Sequence, residues 1–460
     1  MRRRDFLGAA MAALASGAPA LAAPPSQSGP LGAPKPGCQP CAFPTLPDTI
    51  AGMSLRELRD DYRRRLFDGF LPFWDRGGID RELGGVMCEL NDDGSVASDE
   101  KYIWYQGRAI WVYSCLYNRF GKDERFLEVA RKTREFMVKH MHAGGGRWHE
   151  KVRRDGTVLE GPGGNVYGGL FAAAGLAEFY KAAGDPRDVE LAKESIWAAM
   201  RAYDDPDYGD THTTQYTAVP ISESGIRSEG HSMVLISILS GLLAAHEDPR
   251  LEALQREHVE IIVNRHWNPE YGITNEYLRH DYSRLPQAAG HMFTGHALEA
   301  LWIVMHEALR TKDRALFNTT KTRVRRLIEM CWDYVFDGWG DGDFFVEETP
   351  EHRRGPQFEV KTMWAHCEVL IACMTVLEYT GEVWAKEWYE RTRDYLLRTM
   401  ANTGHGVWRQ AVDRRGNDLK RVGVSEKRKG NFHQPRFLMM NLLSLERMIA
   451  GGGRLTPFPT

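Results

Sequence analysis

The chain has 460 residues, and its 59 Lys and Arg nearly balance 62 Asp and Glu, giving a formal net charge of −3. Such a balance builds no field to attract nucleic acid or an anionic membrane surface, so a small neutral or weakly charged ligand fits better. No stretch is apolar enough to span a bilayer, while 13 Trp and 17 Tyr supply rings for a core and for stacking on sugar faces.

In chain order, Arg3-Arg4-Asp5-Phe6-Leu7 forms a twin-arginine pattern followed by the small-residue run Gly8 to Ala22, with an Ala-x-Ala site at Ala20-Leu21-Ala22. Residues 1–22 therefore read as a signal peptide that exports a folded protein to the bacterial periplasm, with cleavage before Ala23. Residues 23–48, rich in Pro, Gly and Ser, read as a linker. Within it Cys38-Gln39-Pro40-Cys41 is the one close cysteine pair and a candidate local disulfide. Cys88, Cys115, Cys331, Cys367 and Cys373 lie in apolar segments and read as buried small hydrophobes, and a structural zinc site would want a second close pair.

What remains, residues 49–453, is room for two average domains or one large single-core architecture. Apolar residues three and four apart predict helices at 55–73, 104–120, 124–142, 165–183, 187–203, 229–246, 250–265, 292–310, 313–335, 361–380, 383–400 and 434–450. Twelve helices pair into six hairpins. Between them lie short Gly-aromatic segments with Asp-Gly or Arg-Gly turns, such as Gly146-Arg147-Trp148-His149 before Asp155-Gly156. Asp93-Gly94 and Asp155-Gly156 are 62 residues apart, and Gly342 and Gly406 are 64 apart, a period of two helices plus a loop. The expected fold is all-α: a six-hairpin toroid with short β-hairpin loops gathered at one end over a central cavity, with an open α-solenoid as the alternative.

On that scaffold the chemistry-bearing residues meet at one mouth. Trp104-Tyr105-Gln106-Gly107-Arg108 opens one inner helix, Gly230-His231 another, Gly295-His296 a third and Lys361 to Glu368 a fourth, while His433 precedes the last. An enzyme that inverts a carbon next to a carbonyl needs a base on one face and an acid on the other, and imidazole titrates near the operating pH. His296 and His433 could be that pair, or each could be a satisfied structural histidine. Glu299, three residues from His296, shares its helix face and could fix its tautomer. Arg108 could instead pair with a core acid, and Trp104, Trp302 and Trp364 could be core. His366 and Glu368, two apart, could ligate a metal, but His291 and His296 lack the i, i+4 spacing of a helical metal pair. The expectation is no metal and no cofactor. His149, His280, His306 and His405 read as surface or structural.

These stretches resemble the N-acylglucosamine 2-epimerase family, which also includes cellobiose 2-epimerases and mannose or other aldose–ketose isomerases. The resemblance is carried by Trp104-x-Gln106-Gly107-Arg108, Gly295-His296-x-x-Glu299-Ala300-x-Trp302, Trp364-x-His366-x-Glu368 and Phe432-His433-x-Pro435-Arg436. It implies an (α/α)6 barrel and a free reducing sugar as substrate, with a homodimer as a possible assembly. By that resemblance Arg108 binds the carbonyl or enediolate oxygen, His296 and His433 exchange protons at C2, Glu299 orients His296, and His231 assists ring opening. Trp104, Trp302, Trp364, Lys361, His366, Glu368 and Arg436 would line the sugar site. Phe293-Thr294 stands where the family commonly has Asn-Pro before Gly-His, which leaves the substrate branch open. Returning the proton to C2 gives epimerisation and returning it to C1 gives an aldose–ketose isomerase. Two other classes remain: a glycoside hydrolase of the same toroid, with carboxylates drawn from Glu223, Glu299 and Glu368, and a non-catalytic sugar-binding protein.

Overall fold

The computed structural model describes residues 46–163, 166–209, 219, 221–346, 359–401, 403–419 and 427–459. The expected signal peptide, nearly all of the linker and the Cys38–Cys41 pair lie outside the described residues.

A capping box of Ser54 and Glu57 starts α1 (Leu55–Arg63), which runs through a π-helical stretch, Arg64–Phe70, into α2 (Leu71–Gly77). There follow α3 (Ile103–Arg119), α4 (Glu124–His140), α5 (Val166–Ala183), α6 (Pro186–Tyr203), α7 (Glu229–Leu243), α8 (Pro249–Glu260, extended as π-helix over Ile261–His266) and α9 (Thr294–Arg310). The last four are α10 (Arg314–Cys331), α11 (Met363–Thr380), α12 (Val383–Thr399) and α13 (His433–Ala450). Helices α3, α5, α7, α9, α11 and α13 each pack on the next, and α13 returns to α3, so they form a closed inner ring, not an open solenoid. Even-numbered α4 to α12 lie outside. The rod α1–α2 is the outer mate of α13, so the two ends of the chain close the sixth hairpin, one helix out of step with a count from the first.

Composition separates the two rings. Inner α11 is buried at nearly every position from Met363 to Glu378, whereas outer α10 buries only one stripe, including Phe317, Val324, Leu327 and Ile328. Three of the turns between inner and outer helix repeat one device. Lys122, Gly184 and Lys312 take left-handed backbone (φ 58°, 75° and 62°), and the next residue, Asp123, Asp185 or Asp313, caps the outer helix with its side chain. The packed body continues past residue 453, since Phe458 lies on Phe317 with ring centroids 5.5 Å apart.

A buried knot occurs twice. The Lys101 ammonium donates to Asp80 (2.9 Å) and to the carbonyls of Gly84 (2.7 Å) and Arg154 (3.2 Å), while the Arg154 guanidinium grips the same Asp80. Lys361 repeats it with Asp333 (3.0 Å) and the carbonyls of Asp337 and Arg414 (2.8 Å), Arg414 gripping Asp333. Both lysines have no exposed surface, which is tolerable only because all three ammonium protons find acceptors. Lys361 is therefore an anchor of the loops and not a sugar-binding residue.

His366 is corrected for a related reason. Its Nε2 accepts the Trp339 N–H (2.9 Å), its Nδ1 donates to the Thr362 carbonyl (2.7 Å), and its ring stacks on Tyr395. Gln106 does the same work in α3, accepting from Val86 N–H (2.8 Å) and donating to the Val86 and Tyr102 carbonyls, and Gln434 does it in α13. All three tie a loop to the start of an inner helix.

Candidate active site

Short antiparallel pairs deliver the inner helices to one end of the ring. Strand Glu100–Tyr102 leads into α3, Arg227–Ser228 into α7, His291–Phe293 into α9 and Val360–Thr362 into α11. Inner-helix N-termini gather there, and their unpaired amide ends favour negative charge.

His296 sits in the first turn of α9 with 24% of its side chain exposed, and its Nδ1 faces both oxygens of Glu276, at 3.2 and 3.1 Å. Glu276 is itself buried and accepts the Ser228 hydroxyl at 2.6 Å. A carboxylate against Nδ1 fixes the Nδ1–H tautomer and points Nε2 outward. Burial disfavours charge on this ring, but the Glu276 carboxylate outweighs it and the proton affinity of His296 is raised. The partner expected from sequence was Glu299, which instead accepts from Arg436 at 2.6 Å. Glu276 was missed because it lies 20 residues upstream in a loop that only the tertiary fold brings to α9. Its one signal is an acid inside the Gly-aromatic segment after Tyr271-Gly272.

His433 opens α13 with 19% of its side chain exposed, its Nδ1 2.9 Å from Glu368 Oε1 and 3.2 Å from Arg436 Nη2. The shorter contact is to a carboxylate, which can only accept, so the bond is Nδ1–H to Glu368, and Nε2 again carries the free lone pair. Burial, reinforced by the Arg436 charge, pushes His433 well below the usual imidazole range. The two rings are therefore driven in opposite directions, His296 toward its charged form and His433 toward its neutral one.

Arg436 is buried at the junction, donating 2.6 Å bonds to both Glu299 and Glu368 under the rings of Trp302 and Phe432. Trp302 donates its indole N–H to Glu368 at 2.9 Å. Glu368, Glu299, Arg436 and Trp302, expected in part to line the sugar, are thus the buried support of His433. Glu299, Glu368 and His433 bring ligand-type atoms within 4.8 Å of one another, close enough to hold a cation, but both carboxylates already carry the Arg436 guanidinium.

Trp364 stands between the histidines, its ring 5.8 Å from His296 and 5.4 Å from His433, with Phe293 stacked on it. A Cβ at Gly295 would fall 2.0 Å from this indole, so the Gly-His motif needs its glycine for Trp364 to lie across the start of α9. Arg108 is sandwiched by Trp104, Phe171 and Phe432, with its guanidinium carbon 4.1 Å from the centre of the Phe171 ring. It makes no ion pair among the described residues, its Nε has no hydrogen-bond partner there, and burial lowers its pKa to about 10. An uncommitted cation held by rings is suited to a developing oxyanion. His231 has no exposed surface and is enclosed by Tyr167, Tyr203 and Tyr208, Tyr167 lying nearest at 4.6 Å.

The family model for N-acylglucosamine 2-epimerase (GlcNAc 2-epimerase) matches residues 84–429. The N-acylglucosamine 2-epimerase of Mus musculus is 26% identical over 410 residues, covering 84% of this chain and 92% of that protein. The cellobiose 2-epimerase of Bacteroides fragilis is 22% identical over 375 residues, covering 76% and 90%. Among solved structures, cellobiose 2-epimerase from Spirochaeta thermophila superposes with a TM-score of 0.70 at 18% identity, covering 86% of this chain and 98% of that one, which bears out the (α/α)6 barrel. A D-mannose isomerase does so at 0.66 and 14% identity, covering 85% and 98%. A family 76 glycoside hydrolase from Bacteroides thetaiotaomicron shares the fold more distantly, at 0.53. With two carboxylate-backed imidazoles and an uncommitted arginine at the mouth of such a barrel, and a family match over three quarters of its length, the chain belongs to the N-acylglucosamine 2-epimerase family.

Proposed function

We propose that the protein is a 2-epimerase of a free reducing sugar, working by deprotonation and reprotonation at C2 of the open-chain aldehyde. The observation that carries the reading is the pair of Glu–His dyads, Glu276–His296 and Glu368–His433, on either side of Trp364, with proton affinities shifted in opposite directions. Neutral His433 takes the C2 proton through Nε2, Arg108 holds the oxyanion that forms at the aldehyde oxygen, and charged His296 returns a proton from the other face. In the reverse direction the roles exchange. A preorganised donor to such an oxyanion contributes about 3–4 kcal/mol, and each proton-transfer group about 100- to 10,000-fold in rate. Enclosed by tyrosines, His231 is the residue assigned to assist ring opening. That no carboxylate among the described residues claims Arg108 fits a neutral sugar that acquires negative charge only during reaction.

Return of the proton to C1 would make the same constellation an aldose–ketose isomerase. The partial similarity to the D-mannose isomerase of Pseudomonas cannabina, 28% identity over 124 residues covering 29% of that protein, supports keeping this second reading. Proton NMR of glucose, mannose, cellobiose and N-acetylglucosamine incubated with the protein in D2O separates them: epimerisation gives deuterium at C2 of both epimers, and isomerisation gives a ketose labelled at C1. A shortened sugar with unlabelled C2 would point to a hydrolase, and binding with no label to a sugar-binding protein. The twin-arginine reading makes the periplasm the proposed location, tested by the fate of a fluorescent fusion in a strain lacking the twin-arginine translocon.

A further inference from the structure

Glu229 is the first residue of α7, and its side chain has no exposed surface. Neither carboxyl oxygen has a hydrogen-bond partner among the described residues, and no lysine or arginine there bonds it. Yet it lies beside the His296 dyad. Its backbone N–H donates to the Glu276 carbonyl (2.8 Å), the preceding Ser228 donates to the Glu276 carboxylate, and a Cβ on the following Gly230 would lie 3.0 Å from the His296 ring. A buried carboxylate with neither donor nor counter-ion is among the least favourable groups a protein can hold, so such a group keeps its proton. The near charged group is Glu276, whose negative charge acts in the same sense as burial, and both push the proton affinity of Glu229 well up.

We propose that Glu229 is a positioning residue for proton transfer at His296, a neutral carboxylic acid beside Glu276, so that the two carboxyl groups present a single negative charge to the imidazole. This rests on the reading of His296 as a proton-transfer group. When His296 gives its proton to carbon, Glu276 faces an uncharged ring, and Glu229, staying neutral, adds no second negative charge beside it. The other groups acting on the dyad are Glu299 and Asp341, which favour the His296 charge, and neutral His266, whose Nδ1 donates to the Asn275 carbonyl. None of them bonds Glu229.

The test needs no substrate. Infrared spectra of the full chain at neutral pH should contain a protonated carboxyl carbonyl band, shifted in D2O, that disappears in Glu229→Gln. Histidine NMR should show wild-type His296 titrating in two coupled steps as Glu229 loses its proton beside it, and Glu229→Gln should reduce this to one step without lowering the midpoint. Glu276→Gln should lower the midpoint by a unit or more. The proposal is overturned if the wild-type band is absent, if both His296 curves are the same single step, or if Glu229→Gln lowers the midpoint as far as Glu276→Gln, which would make Glu229 an anion. Should Glu229→Gln not fold, Glu229→Asp decides: it should shift the band, and a band left unmoved overturns the assignment. If the proposal holds while His296→Ala still exchanges C2 hydrogen, the catalytic reading fails and the carboxyl pair stands.

Discussion

His296 and His433 have the same side chain but proton affinities shifted in opposite directions, and their neighbours set the difference: among the described residues no cation offsets Glu276 at one ring by hydrogen bonding, while Arg436 takes up the negative charge around the other. Substituting Glu276→Gln keeps the shape and removes the anion. The raised proton affinity of His296 should fall, so the acid form is lost at lower pH and the alkaline limb of kcat/KM for C2 exchange moves down. At neutral pH the rate should drop by about 10- to 100-fold, as for other partners that orient a functional imidazole. An unchanged limb would remove Glu276 from the mechanism. Arg108→Lys keeps the charge but loses the planar face that Phe171, Trp104 and Phe432 clasp. It should cost about 100-fold or more in kcat with a smaller change in KM, the pattern of a contact strengthened in the transition state. A change confined to KM would mean that Arg108 only binds.

Elements are held by a few repeated devices. In the turn from α9 to α10, Lys312 has φ 62° and Asp313 accepts the Leu316 amide at 2.9 Å. A lysine side chain is strained in that backbone and glycine is not. Lys312→Gly should therefore stabilise the protein by about 0.5–1 kcal/mol, and Asp313→Ala should cost about 1 kcal/mol through the lost cap. Urea unfolding of the two variants checks both, and the opposite sign for Lys312→Gly would show that the lysine side chain makes a compensating contact. The loop anchors were only half legible. The helix pattern and turn residues announce the hairpins, but Lys361 and His366 look in sequence like site residues, because a buried polar anchor and a ligand-binding group use the same chemistry.

Across the molecule, burial holds His258 near pKa 3 and His266, His306 and His366 near 4, against 6.5 when exposed. These rings are neutral in both states above pH 6.5. Below it the unfolded chain binds protons that the fold refuses, so stability is lost as pH falls from 6.5 toward 4, by roughly 3 kcal/mol for each ring held near 4. Melting temperature should fall steeply across that window. Gln106 and Gln434 perform the His366 task without a titratable group, so His366→Gln should fold, remain active and melt less pH-dependently. A steeper decline than wild type would contradict this.

Sequence alone determined the twelve helices, the all-α ring they build and the motif histidines at its mouth, because periodicity, caps and Gly-His spacings are local and survive without coordinates. The family resemblance rested on the same local motifs. Tertiary structure decided the partners. Glu276 reaches His296 from another loop, Glu299 turns to Arg436, and the first helix pairs with the last. Which carboxylate meets which imidazole depends on contacts between residues 20 to 137 positions apart, and it is those contacts, with the burial they create, that raise the proton affinity of one histidine and lower that of the other.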